Sequence, residues 1–363
     1  MLDKNGNRML SYVAEVTKIS PIEGADNIAL ATINEGWEVI IKKSEFKVGD
    51  LCAFFEIDSL LPSSNPAFAF LANRDFKVKT YKLSRFGVVS AGLAMPLDLL
   101  NLKGVKKDDD LTKKLGVTYA IKEDNERKNP SQKKKKSILM KLALYRWLYF
   151  KIKELKKGDM AFPSKYAKKT DEERIQNMPY ILKDKTPFVV TEKVDGTSTT
   201  ILLVRKKMKF YVCSRNNVVV GGTIYNDNAN KYKMKEHLVS FLKEHKDISW
   251  ACVQGESYGK GWQGNPLNLE GTDFVAFNFI DSKNGRWGSL EGKALLEKWG
   301  IPWVPIIDKS FILPDTVDEL LSLANGKSMI NKEVLREGLV LRSLDGKKSF
   351  KAVSPEYLMK HKI

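Results

Sequence analysis

FVVTEKVDGTSTTILLV, residues 188–204, decides how this chain is read. Phe188-Val189-Val190 is an apolar run of residues that favour strands, and the β-branched stretch from Ser198 to Val204 reads as a second strand. Between them lies Lys193-Val194-Asp195-Gly196, with Glu192 just before the lysine. An amine attacks phosphorus or carbon only when neutral. Lys193 is therefore a candidate nucleophile provided that burial or neighbouring cations lower its pKa. A lone KxDG is short and unspecific, so its weight rests on the motifs C-terminal to it.

Downstream come Ser214-Arg215-Asn216, then QGESYG at 254–259, FVAF at 274–277, EGLVLR at 337–342 and SFKAV at 349–353. Asp195, Glu256 and Glu337 are read as carboxylates on separate strands, and converging hard oxygen donors suit a hydrated Mg²⁺, or Mn²⁺, bridging phosphate oxygens. Lys351 and Arg215 suit electrostatic stabilisation of phosphate charge. Phe277 reads equally as a core aromatic of its strand or as a ring on which a base stacks.

In this order the motifs resemble the covalent nucleotidyltransferases, the superfamily of DNA ligases, RNA ligases and mRNA capping enzymes, over about residues 160–357. The resemblance implies catalytic roles for Lys193, Glu256, Glu337 and Lys351. It implies nucleotide contacts from Arg174, Glu192, Asp195, Gly196, Arg215, Phe277 and Lys351, and metal binding by Asp195, Glu256 and Glu337. ATP and Mg²⁺ are the cofactors it implies. One departure is Lys351-Ala352-Val353, where the family often shows KxK; Lys348 is the substitute within reach.

Working upstream, FPSKYAKKTDEERIQN at 162–177 resembles RNA ligases in particular, and Thr170 with Glu173 has capping-box spacing, which predicts a short helix from about Thr170. Residues 8–100 alternate short β-rich runs (MLSYVAEVTKI, NIALATI, GWEVIIKK, DLCAFFEID) with turns at Pro21, Gly24, Gly36 and Gly49-Asp50. IEGADNIALATINEGWEVIIKKSEFKVGDLCAFFEIDSLLP resembles the OB modules attached to some RNA ligases, the Deinococcus-type branch. OB folds bind single strands with basic grooves and stacking rings, for which Trp37, Phe54, Phe55, Phe76 and Tyr81 are candidates, most of them expected in the core. Charge-dense residues leading to Lys133–Lys136 read as a solvated linker, and Ser137–Lys157 as a helix. Met234–His245, Leu290–Trp299 and Val317–Ala324 also read as helices, and GLVLRS and KSFKAVS as late strands.

The expected fold is thus α+β: an OB-like β-barrel at 1–115, a basic linker and helix at 116–159, and a mixed, largely antiparallel nucleotidyltransferase domain at 160–363. At 363 residues and 43% apolar content, two domains fit the length, and a formal charge of +17 favours polyanion partners. Cys52, Cys213 and Cys252 lack metal-type spacing, no stretch is a convincing signal peptide or membrane span, and the three histidines stand apart, so a cytoplasmic monomer without zinc is expected. Only twelve residues follow Lys351, leaving no room here for the C-terminal OB domain of DNA ligases and capping enzymes. The resemblance therefore points to an ATP-dependent RNA ligase joining 3′-OH and 5′-phosphate ends, in a nicked duplex or another context. A GTP-using capping-type transferase and a nonenzymatic OB-fold nucleic-acid-binding protein are the alternatives.

Overall fold

In a computed structural model the described residues are 1–3, 8–120, 161–221 and 223–361. The expected helix at 137–157 and the Lys133–Lys136 run lie outside them.

The N-terminal part is an OB fold. Its antiparallel sheet runs β3 (Trp37–Lys42), β2 (Ile28–Ile33), β1 (Ser11–Pro21), β4 (Leu51–Phe55) and β8 (Leu93–Pro96). Successive side chains of a strand point to opposite faces, so Tyr12 joins Trp37 and Phe54 on one side while Val13 joins Phe55 and Phe68 on the other. Both faces are covered, which explains why β1 and β4 read as nearly continuous apolar runs. Trp37, Phe54 and Phe55 are buried core rings, Phe76 is half-buried, and Tyr81 is exposed. Two small hairpins embellish this unit. β5 (Ser59–Leu60) pairs with β9 (Thr118–Tyr119), and β6 (Thr80–Leu83) pairs with β7 (Val88–Ala91).

The C-terminal part holds two five-stranded sheets. One runs β10 (Glu173–Arg174), β19 (Ser349–Val353), β18 (Gly338–Ser343), β11 (Phe188–Lys193) and β17 (Ile306–Phe311). The other runs β13 (Lys209–Cys213), β12 (Thr197–Val204), β14 (Trp250–Gly259), β15 (Thr272–Asp281) and β16 (Gly285–Arg286). Helices α1 (Ile224–Lys231), α2 (Met234–Glu244) and α3 (Ser289–Lys298) pack on the second sheet, and α4 (Val317–Ala324) on the first. The terminal helix α5 (Pro355–His361) sends Leu358 into the N-terminal core, beside Val353 of β19. No described helix is long and apolar enough to cross a membrane.

The helix expected from Thr170 is absent. Glu173 and Arg174 instead pair in parallel with Phe350 and Lys351, followed by a single 3-10 turn at Ile175–Asn177. The acidic side chains that suggested a helix start are committed elsewhere: Asp171 to Arg215 at 2.8 Å, Glu172 to Arg342 at 2.9 Å and Glu173 to Asn177 at 2.6 Å. These tertiary partners and the ladder outweigh a local cap.

Candidate active site

Lys193 ends β11 in one sheet and Thr197 begins β12 in the other, so Val194-Asp195-Gly196 carries the chain across the cleft between the two sheets. The crossing is tight. A Cβ on Gly196 would lie 2.5 Å from the Ser257 carbonyl oxygen, which is the physical reason for glycine there. The cleft opens into a cavity of about 880 Å³ lined by both sheets and by the N-terminal fold.

Lys193 Nζ donates to Glu337 Oε2 at 2.6 Å. Burial favours the neutral amine, yet Glu337, then Glu256 and Asp195, outweigh it and hold Lys193 above the usual lysine range. The lowered pKa expected of a nucleophile is therefore not a property of this state. The carboxylates that crowd the amine keep it charged, and neutralising them is what would release it.

Of those carboxylates, Glu256 sits within β14, whereas Asp195 lies in the crossing turn and Glu337 just before β18, at strand mouths rather than on separate strands. Burial, then the like charges of Glu337 and Asp195 against the attraction of Lys193, push the Glu256 carboxyl up to about 8. Tyr357 of α5 donates to Asp195 at 2.5 Å. The donors are all hard oxygens whose mutual repulsion a divalent cation would relieve, so they fit Mg²⁺ or Mn²⁺. Among the described residues no three His, Cys, Asp or Glu side chains close into a direct metal cage.

Lys351 of β19 pairs across the ladder with Val340 and sits opposite Arg174 of β10. Burial, then Arg174, Arg8 and Lys193, lower it to about 7. Arg174 is itself buried, with Nε and Nη1 unpartnered among the described residues and Nη2 3.5 Å from Asp58. Arg8 binds the same Asp58 at 2.9 Å. Arg174 thus places a buried guanidinium, with two unpartnered nitrogens sealed from solvent, beside the cavity.

At the other end of the cavity Glu192 is buried. One of its oxygens accepts from the Met329 backbone at 2.7 Å, and the other has no partner among the described residues. Phe277, half-buried on β15, lines the cavity with Val304 and Val340. Arg215 also lines it, half-exposed, its Nη2 donating to both carboxylate oxygens of Asp171 at 2.8 and 2.9 Å. Thus the residues to which the resemblance gives catalytic, nucleotide or metal roles all border one cavity. Lys348 does not: it pairs with Asp184 on the surface, while Val353 is apolar because it belongs to the N-terminal core.

The sequence did not reveal Arg8, Asp58, Lys77, Lys79 and Tyr119 of the N-terminal fold, nor Arg342 and Tyr357, all of which line the cavity or touch its carboxylates. Only spatial contact between distant segments identifies them.

A family model described as an OB-fold domain matches residues 10–97, and one described as RNA ligase matches residues 186–353. Solved structures of a Naegleria gruberi RNA ligase align over the whole fold. An apo mutant is 31% identical, with a TM-score of 0.79, covering 98% of this chain and 99% of that one. A mutant with AMP and Mn and the enzyme with PPi are each 32% identical, at 0.79 and the same coverage. Among curated proteins nothing matches the chain. An OB fold docked on a two-sheet domain with a lysine at the crossing defines a nucleotidyltransferase of the ligase type. The chain belongs to the RNA ligase family.

Proposed function

We propose that this chain is an ATP-dependent RNA ligase that carries AMP on Lys193 and joins a 3′-hydroxyl to a 5′-phosphate. The observation that carries the reading is the position of Lys193 at the sheet crossing, ringed by Glu337, Glu256 and Asp195 and lining one cavity with Lys351 of the same sheet. Related structures hold ATP or AMP with Mn, which supports the same nucleotide and a divalent metal here. In domain terms, residues 1–115 form an OB module and residues 160–363 the adenylyltransferase.

In the first step the Lys193 lone pair attacks the α-phosphorus of ATP, a P–N bond forms, the bond to pyrophosphate breaks, and the amine loses its proton. A divalent ion bound at Asp195, Glu256 and Glu337 would neutralise these carboxylates and so favour the neutral amine. Lys351 and Arg174 meet the negative charge of the α-phosphate and leaving group. Phe277 stacks on adenine, and the unpartnered oxygen of Glu192 accepts from its exocyclic amine; guanine presents a carbonyl oxygen there instead, which disfavours GTP. AMP then passes to an RNA 5′-phosphate, and the 3′-hydroxyl displaces it. The buried free cysteines support a reducing, cytoplasmic setting.

The test is incubation of wild-type and Lys193→Ala protein with α-labelled ATP or GTP and Mg²⁺. Label from ATP that is absent in the variant and passes to 5′-phosphorylated RNA establishes the reading. Label from GTP alone replaces it with a capping-type transferase, and no label with either nucleotide leaves a binding protein.

A further inference from the structure

The β6–β7 hairpin stands outside the catalytic machinery, yet it grows from the cavity wall. Lys77, Val78 and Lys79 line the cavity, and the chain then turns outward through Thr80–Leu83 and back through Val88–Ala91. β6 packs against α5, whose Leu358 also lines the cavity, and β7 packs against β3 of the OB sheet. The hairpin is thus continuous with the site and fixed on both sides.

Its composition is one-sided. Residues 77–91 contain Lys77, Lys79, Lys82 and Arg85 and no carboxylate. None of these four cations forms an ion pair among the described residues, whereas Arg215, another cation of the cavity lining, is occupied by Asp171. Rings alternate with the charges. Tyr81 is 44% exposed, with the Arg74 guanidinium 4.7 Å from its centroid, and Phe86 lies 5.3 Å from Arg85. Cations of this kind interleaved with accessible rings suit a phosphate backbone with bases that stack, and an acidic peptide would leave the rings without partners.

We propose that the β6–β7 hairpin is an RNA-gripping arm, with Lys82 and Arg85 binding phosphates and Tyr81 stacking a base of the strand that leads away from Lys193. This rests on the ligase reading, since an RNA end held at the cavity must leave it along some wall. This wall offers positive charge continuous with the site. Lys82, Arg85 and Tyr81 do not line the cavity, so they act on RNA capture rather than on nucleotide transfer to Lys193.

The test uses the full chain and a nicked RNA duplex with 3′-hydroxyl and 5′-phosphate ends, measuring its binding across a salt series alongside Lys193 labelling from ATP. Lys82→Ala/Arg85→Ala is expected to keep labelling within about twofold while losing about tenfold or more in RNA affinity, with the log–log salt slope shallower by about 1–2. Tyr81→Ala is expected to lose about five- to a hundredfold, and Tyr81→Phe to recover it because stacking needs only the ring. Unchanged RNA affinity and salt slope in the double variant overturn the proposal, whatever the labelling shows. Absence of Lys193 labelling in the wild type would instead overturn the ligase reading, while RNA binding still decides the hairpin. Thermal melts matching wild type exclude a folding defect for these exposed side chains.

Discussion

Lys193 at the end of β11 and Glu337 just before the neighbouring β18 form an ion pair at 2.6 Å that holds the candidate nucleophile protonated. The same carboxylate thus restrains the amine and belongs to the set that would hold a cation.

Glu337→Gln separates these roles. Losing the negative charge lowers the Lys193 pKa, so at fixed pH near 8 more of the amine is neutral, and a small amine-acylating reagent should modify Lys193 faster than in wild type. ATP-dependent labelling should nevertheless fall by about a hundredfold or more, the scale of losing one preorganised electrostatic group. Peptide mapping of the acylated lysine and the labelling rate check the two directions; a parallel fall in both would refute this division of roles.

Glu256 makes a prediction about stability. Its folded pKa of about 8 lies above an unfolded carboxyl value near 4.5, so the native state binds more protons between the two and stability declines as pH rises through that window. Because Glu256 keeps part of its surface open to the cavity, the effect is on the order of 2 kcal/mol rather than that of full desolvation. Glu256→Gln should therefore melt higher than wild type at pH 8.5 without divalent metal and about equally at pH 4.5, as read by calorimetry. Equal melting at both values would remove the assignment.

Much of this was legible in the sequence because strands announce themselves by alternation and because KVDG joins two of them. Lys193, Glu256, Glu337, Lys351 and Phe277 were singled out because their motifs follow one another in the order that resembles the covalent nucleotidyltransferases, and the fold ties each to a strand or its mouth. Arg8, Asp58 and Tyr357 were not, since they enter the site through docking of the N-terminal fold and α5, and no local pattern encodes that. The false helix at Thr170 has the same origin: its carboxylates were read as a cap when Arg215, Arg342 and Asn177 were waiting across the fold.

Lys351 gives the opposite sign to Glu256. Burial and the nearby guanidiniums hold its folded pKa at about 7, so much of it is neutral at pH 8, and an arriving polyanion should draw a proton onto it. Pyrophosphate binding by wild type is expected to take up protons between about pH 7 and 9, measured by titration calorimetry in buffers of different ionisation enthalpy. Lys351→Met should lose the part of that uptake that exceeds pyrophosphate's own protonation. An identical proton count in the variant would mean that Lys351 is charged throughout.

Asn177 joins the two halves of the molecule. Its side-chain oxygen accepts from Trp37 at 2.6 Å and Tyr12 at 3.1 Å, and its amide donates to Glu56 at 2.9 Å and Glu173 at 2.6 Å. Asn177→Leu leaves the buried Trp37 indole N–H without its acceptor, while Tyr12 still reaches Glu56 at 3.4 Å and both carboxylates keep other donors, a loss of roughly 1–3 kcal/mol for the one unsatisfied group. Gly36→Ala attacks the same contact differently, since its methyl would lie 2.0 Å from the Gln176 carbonyl oxygen. Both changes displace the segment that holds Arg174 opposite Lys351, so both should lower the melting temperature by several degrees and weaken ATP binding together. If melting falls but ATP affinity in the folded variants stays at the wild-type value, the docking of the OB fold stabilises the chain without shaping the nucleotide site, and Arg8 and Arg174 are then structural rather than anion-binding groups.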